Sequence, residues 1–352
     1  MELRRLVRGL LPLAGLALLA LSPVLGQVQI PAAAVESILL HQLSAGALAP
    51  DPCGPSVSAV RCAGWIAIVW DTRIPEILLA ALVGAALGMS GATLQGAFRN
   101  PLADPYLLGL SSGATLGTAL VFVYGIGSAA ANIALPLLAF LGAISTGLLI
   151  LVVARLLGGS TETLLLMGVT LSFLLSAILS IVLLFNPEGS LQVDFWLLGG
   201  LGGASWGRDG LVLGGVVVAG ALLLLYGRDL NLLQLGPEVA TSLGLDARRV
   251  RQRLILLASV ATAMAVAFAG IIGFVGLISP HVVRRVARAD YRVVLPGSAA
   301  VGALFLLVAR DLSVGIPSTG ELPVGIFTAV GGAPVFLYLL YRRRHTSGEG
   351  NA

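Results

Sequence analysis

Long apolar runs broken by short polar interruptions dominate the chain, and the lengths of those runs fit a lipid bilayer. A helix needs about 20 apolar residues to cross the hydrocarbon core. Runs of that order lie at Leu6–Leu25, Ile74–Phe98, Tyr106–Tyr124, Ile133–Leu156, Leu164–Phe185, Gly210–Tyr226, Val293–Ala309 and Pro323–Tyr341. The stretch Leu254–Val283 carries no charge, and is too long for one span and too short for two full ones. Arg248, Arg249, Arg251 and Arg253 precede it, and Arg284, Arg285 and Arg288 follow it. Arginine-rich flanks mark the cytoplasmic side, so both ends lie inside and the chain goes out and comes back. Gly270, Gly273 and Gly276 mark the reversal, giving one full helix and one short helix that ends near Pro280 and His281. Ten spans result, which predicts an all-α polytopic membrane protein. Residues 1–352 form one transmembrane domain, with an extracytoplasmic loop at 27–73 and a cytoplasmic loop at 227–253.

The arginines provide a check on this topology. Cytoplasmic segments collect 17 of the 21 basic residues, and the outside keeps Arg61, Arg73, Arg208 and Arg310. Both termini are expected in the cytoplasm, the first carrying Arg4, Arg5 and Arg8 and the last Arg342, Arg343 and Arg344. The first apolar run reads as an uncleaved span, because no clean small-residue cleavage site follows it.

Composition narrows the function. Hydrophobic residues make up 57% and charged residues 11%, against about 25% charged in soluble proteins. That excludes a soluble enzyme, a disordered chain and a nucleic-acid binder. The 45 glycines do not gather in linker-like runs, and small residues let membrane helices approach closely. Every basic residue is arginine, so the chain has no lysine with which to build a phosphate-binding P-loop. Cys53 and Cys62 share the one outer loop, which makes them a disulfide candidate, two free thiols being the alternative. His41, His281 and His345 are scattered singly, so no metal site is expected.

Three polar segments carry candidate chemistry. Loop 227–253 reads as short amphipathic helices, with Leu230, Leu232, Leu233 and Leu235 followed by Pro237 to Gly244. Proline in a first helical turn with Glu238 beside it suits a helix start. Such a helix pair is either an ordinary surface loop or what a membrane subunit offers to a soluble partner's groove. Ser160-Thr161-Glu162-Thr163 reads as a capped helix N-terminus. Gln95 and Asn100, near the inner end of the second span, are suited to interhelical hydrogen bonds.

The run Asn100-Pro101-Leu102-Ala103-Asp104-Pro105-Tyr106-Leu107-Leu108-Gly109, with Ser111 and Gly113, resembles the signature of the iron-siderophore, haem and cobalamin importer permeases of the ABC class. Later motifs follow in the family's order: Gly276-Leu277-Ile278-Ser279-Pro280-His281, Asp290-Tyr291-Arg292, Leu295-Pro296-Gly297-Ser298, and Glu321 to Gly325 with Gly332-Ala333-Pro334. The resemblance implies a type II ABC importer permease fold in the bacterial plasma (inner) membrane. It implies a homodimer with two cytoplasmic P-loop ATPase subunits that carry ATP and Mg, and an extracytoplasmic substrate-binding protein. This chain itself would bind no cofactor and perform no catalysis.

Carried onto this sequence, the resemblance assigns ATPase coupling to Gly236, Glu238, Ala240, Leu243 and Gly244, and a cytoplasmic gate to Ser160, Thr161, Glu162 and Thr163. It assigns pathway and helix packing to Gln95, Asn100, Pro101 and Gly109, and binding-protein docking to Arg73 and Arg310. Glu76 stands where the family has a second docking arginine. The implied cargo is a bulky metal chelate, a ferric siderophore first, with haem or cobalamin as alternatives. An ion-driven secondary transporter would want ionisable residues at mid-span, whereas Glu76, Glu162, Asp311 and Glu321 all lie near span ends.

Overall fold

The computed structural model describes residues 15–49, 51–54, 57–127, 130–157, 160–287, 289–316 and 322–348. Arg4, Arg5, Arg8 and the start of the first span at Leu6, Arg288, Glu321, and the side chains of Arg342, Arg343 and Arg344 lie outside the described residues. Among the described residues every regular element is helical. After an apolar helix at Gly15–Val24 come α1 (Ala32–Leu43), α2 (Ala59–Ile66), α3 (Ile74–Ala97), α4 (Leu110–Phe122), α5 (Ala131–Leu156), α6 (Thr161–Leu184) and α7 (Pro187–Leu197). The second half holds α8 (Trp206–Leu225), α9 (Gly227–Gln234), α10 (Pro237–Ser242), α11 (Ala247–Ala269), α12 (Val275–Val286), α13 (Tyr291–Gly315) and α14 (Val324–Gly348). Local chemistry starts several of them: Ser58, Ser160, Asp246 and Asp290 each accept a first-turn backbone N–H, satisfying donors that a helix leaves orphaned.

Among the described residues six helices are long and apolar enough to cross a membrane: Ala59–Ala97, which includes α3, then Asn132–Leu156 in α5, α6, α8, α11 and α13. Gly15–Val24, α1, α4 and Val324–Tyr338 in α14 are shorter apolar helices, and α12 lies where the short helix of the reversal is expected. The chain is an all-α, multi-pass membrane protein. α3 is its central post, with 72% of its most apolar window buried, whereas α6 buries 6% of the equivalent window and presents its apolar surface outward.

Close backbone contact explains the glycine content. On α3, Gly84 faces the carbonyl of Gly302, Gly88 that of Ser298, and Gly91 that of Gly276, so α13 and α12 pack backbone-to-backbone against it. A second seam joins α4 to α5, where Gly113 and Gly142 each face the other's carbonyl and Gly117 meets that of Leu138. In lipid no hydrophobic drive separates helix faces from tails, so van der Waals contact at such seams carries association.

One expectation needs correction, and two features were not foreseen. The 27–73 segment contains helices: α1 and α2 form there, and a π-helical stretch Ala67–Arg73 runs on into α3. Ile30, Ala34, Val35, Ile38 and Val69 give this segment its own small core, an amphipathic face too short to register as a span. Cys53 and Cys62 are bridged within it. The short helix of the reversal continues through Pro280 to Val286 instead of ending there. Proline removes the N–H that would bond the carbonyl four residues earlier, here that of Gly276, and the Gln95 side-chain amide donates to that carbonyl from α3 at 3.4 Å. The helix α7 was also not expected; it starts on Pro187 and Glu188 and buries Val193.

Replacing Gly88 by Val forces a side chain against the Ser298 carbonyl, which no rotamer relieves. Overpacking costs about 1–3 kcal/mol, so Gly88→Val is expected to lower the thermal unfolding midpoint in detergent. Gly214→Ala, where nothing lies within 4 Å, should leave that midpoint unchanged.

Candidate coupling surface, gate and outer network

The two short helices α9 and α10 are held at the end of the bundle by specific bonds. Leu230 and Leu233 bury their side chains in the main core. The Gln234 amide donates to the Gly96 carbonyl at the end of α3 (2.9 Å). The Asn231 amide donates to Asp290 Oδ1 (2.7 Å), and Tyr291 N donates to Asn231 Oδ1 (2.9 Å), which ties α9 to the start of α13. Hydrogen bonds from Arg292 and then Asn231 hold the Asp290 carboxyl well below the usual carboxylate range, so the clamp remains ionised through neutral and mildly acidic pH.

Gly236 (φ +109°) and Gly244 (φ +85°) bracket α10 in backbone conformations that glycine tolerates. Val239 and Leu243, one turn apart on α10, are 45% and 59% exposed, and Leu235, across the Gly236 break at the end of α9, is 57% exposed. They form an apolar ridge, with Glu238 exposed beside it. Ala240 belongs on the other side: it is fully buried and its carbonyl accepts from Leu245 N at 2.9 Å. The expectation that Ala240 presents itself to a partner is therefore corrected, since its face of α10 packs inward.

At the candidate gate, Ser160 Oγ accepts from Thr163 N (3.0 Å) and lies 2.9 Å from Thr163 Oγ1. Ser160 and Glu162 are exposed, while Thr161 and Thr163 are half-buried. The segment is thus a capped start of α6 that keeps two polar side chains accessible. The turn after α3 is tightly organised. Asn100 Oδ1 accepts from Leu102 N and Asp104 Oδ1 from Tyr106 N, both at 2.9 Å. Pro101 sits inside this turn, and Gly109 (φ +65°) ends it where a side chain would crowd Ser172 and Thr146.

Two anchoring residues escaped the sequence reading. Tyr106 donates its hydroxyl proton to the Ile272 carbonyl and accepts from Ile272 N, both at 3.1 Å, and so holds the reversal between α11 and α12. Arg284 donates to Gln95 Oε1 (2.6 Å) and to the Tyr291 hydroxyl (3.1 Å), joining α12, α3 and α13. An aromatic inside the Asn-Pro turn and an arginine after a proline-bearing helix were the available signals, but the partner of neither is near in sequence.

The expected docking arginines are both buried, with Arg73 3% and Arg310 1% exposed. Arg73 donates to the carbonyls of Pro23 (2.8 Å), Val24 (3.3 Å) and Val28 (2.5 Å). Arg310 donates to Glu76 Oε2 (2.7 Å) and Asp311 Oδ1 (3.2 Å), while Ser22 Oγ donates to Asp311 Oδ2 (2.6 Å). This corrects the docking expectation: both guanidiniums are spent inside the protein, lashing the end of the first apolar helix to α3 and α13. Glu76, read as a lost arginine, is the counter-ion that makes the burial of Arg310 affordable.

An apolar cleft of about 920 Å³ opens between α5, α8 and α11, lined by Ile133, Leu137, Phe140, Leu211 and Phe268 with one cation, Arg208. Arg208 donates to the Gly203 carbonyl (2.6 Å) and lies 5.9 Å from the Phe268 ring centre.

Comparison with known proteins gives a consistent set of likenesses. The family model described as the FecCD transport family matches residues 13–342. The chain is 45% identical over 283 residues to the cobalamin import system permease protein of Halobacterium salinarum, covering 78% of this chain and 74% of that one. It is 40% identical over 281 residues to the hemin transport system permease protein of Yersinia pestis, covering 78% and 84%. Among solved structures, an inward-facing conformation of a metal-chelate type ABC transporter superposes with a TM-score of 0.77 at 28% identity, covering 96% of this chain and 99% of that one.

Surface substitutions usually change stability by about 0.5 kcal/mol or less, whereas an unpaired buried charge costs several kcal/mol. Leu243→Asp is therefore expected to melt like the parent chain and Ala240→Asp to unfold or express poorly, as read by thermal denaturation in detergent. Breaking a buried ion pair by removing one partner costs about 3–5 kcal/mol. Arg310→Met, which strands both Glu76 and Asp311, should lower the midpoint markedly, and Glu76→Gln, which leaves Arg310 paired with Asp311, should lower it less.

Proposed function

The chain belongs to the FecCD transport family, and on that premise we propose that it is the permease subunit of an ATP-driven importer of a bulky metal chelate. It works as a homodimer with two cytoplasmic P-loop ATPase subunits and an extracytoplasmic binding protein, in the plasma membrane of a bacterium, with both termini inside. The observation that carries this reading is the apolar ridge of Leu235, Val239 and Leu243 on a helix pair clamped to the ends of α3 and α13. A helix laid into a partner's groove is read through i, i+4 anchors such as Val239 and Leu243, with Leu235 beside them at the end of α9. A chain without lysine must obtain its P-loop from that partner.

Movement of the ATPases on binding ATP pushes α9 and α10. The Gln234–Gly96 and Asn231–Asp290 bonds pass the push to α3 and α13. Those helices share a glycine seam, so they move as one body, and nucleotide shifts the population between outward-open and inward-open arrangements. Ser160 and Glu162, exposed at the start of α6, narrow the inner end of the pathway. The outward apolar face of α6 is available to a second copy of the chain. Because Arg73 and Arg310 are internal, binding-protein recognition falls to other outer residues.

For the cargo, similarity to a cobalamin permease and a hemin permease supports a cobalt or iron tetrapyrrole ahead of the ferric siderophore expected from sequence. The apolar lining of the outer cleft suits a flat macrocycle held weakly.

The reading is tested in proteoliposomes containing the chain with the ATPase that co-purifies from its native membranes and the binding protein. ATP-dependent uptake of cyanocobalamin or haem should exceed uptake of ferric siderophores, and Leu243→Asp should abolish it along with the stimulation of ATP hydrolysis. Uptake driven by a proton or sodium gradient without ATP would sink the proposal.

A further inference from the structure

The arginine-rich ends of α5 and α11 form a groove with a distinctive order of residues. Gly147 lies against Ser259, and Arg155 donates to Gln252 Oε1 at 2.9 Å, so the two helices run antiparallel. On α5, Leu148, Val152 and Arg155 occupy one face at helical spacing. On α11, Leu256, Arg253 and Arg249 repeat the same order, read back toward its N-terminus. Both helices therefore present an apolar floor first and a basic rim last, around a cleft of about 390 Å³.

No carboxylate lines this cleft. Arg249 has one nearby counter-charge, Asp246 at 2.9 Å, and that pair is exposed. Arg253 makes no ion pair among the described residues. Arg248 turns back to the Arg155 carbonyl at 3.5 Å. In the adjoining hollow lined by Arg155, Arg248 and Arg251, the buried Arg251 Nε has no hydrogen-bond partner among the described residues. The site thus has more guanidinium donors than acceptors, at the depth where an apolar span meets water.

We propose that this groove binds an anionic glycerophospholipid, its phosphate held by Arg155, Arg249 and Arg253 and an acyl chain laid on Leu148, Val152 and Leu256. Basic pockets between membrane helices at the cytoplasmic end attract anionic headgroups, and arginine's fork matches phosphate oxygens. The apolar floor selects the amphiphile: a free anion would use the rim alone, and a soluble protein segment would meet a floor immersed in the bilayer.

The full-length chain in mild detergent can be titrated with phosphatidylglycerol and with phosphatidylcholine, and bound lipid counted by native mass spectrometry. Phosphatidylglycerol should be retained preferentially, and excess inorganic phosphate should not displace it. Arg155→Gln with Arg253→Gln should bind it about thirtyfold more weakly, from about 1 kcal/mol per arginine at an anionic membrane surface. Leu148→Trp, which fills the floor and alters no charge, should also lose the lipid, while Arg61→Gln on α2 should keep it. Equal affinity for phosphatidylcholine, equal affinity in the double variant, or displacement by phosphate would each overturn the assignment. A double variant that keeps its lipid but no longer co-purifies with an ATPase subunit would also overturn it, making the cluster a protein contact.

Discussion

Backbone-to-backbone contact between α3 and its neighbours is the constraint on which the rest of this structure depends. Gly84, Gly88 and Gly91 allow the carbonyls of Gly302, Ser298 and Gly276 to touch the helix surface, with no side chain between them to yield. A contact of that kind has almost no compliance, because backbone atoms cannot change rotamer to relieve a clash. Whatever tilts α13 or α12 therefore tilts α3 as well, and the central post transmits rather than absorbs displacement.

Polar side chains extend that rigidity to both ends. At the arginine-rich end, Gln95 accepts from Arg284 and donates to the carbonyl freed by Pro280, while Gln234 and Asn231 join α9 to α3 and α13. At the other end, Arg310 is enclosed with Glu76 and Asp311, and Arg73 gathers three carbonyls. In a low-dielectric interior, hydrogen bonds and ion pairs of this kind cost much when half-made and specify geometry when complete. The apolar ridge on α10 is thus mounted on a stiff frame, which is what a surface for passing motion between subunits requires.

The helix pair in segment 227–253 was largely readable from its residues, and the network around Arg73 and Arg310 was not. Pro237, Glu238 and the flanking Gly236 and Gly244 encode a short helix locally, through a fixed φ and positive-φ termini, and that helix is present. Its facing was not encoded locally: Ala240 and Leu243 look alike in sequence, yet one is buried and the other is 59% exposed. Arg73 and Arg310 failed for a related reason. Position in a span predicts which end of the membrane a charge occupies, but burial depends on whether carboxylates and carbonyls from segments far away in the chain arrive beside it.

The amino-acid sequence by itself determined the all-helical class, the approximate spans, the doubling back between Arg253 and Arg284 and the polar segments worth attention. Each of these rests on short-range terms: apolar run length, flanking arginines, and the local demands of proline and glycine. Tertiary structure alone decided that the 27–73 segment folds as helices on a small core, that Pro280 lies within a helix, that Glu76 neutralises Arg310, and which side of α10 meets water. Those outcomes turn on contacts between residues up to 234 positions apart, whose energy appears only when the packed helices bring both partners together.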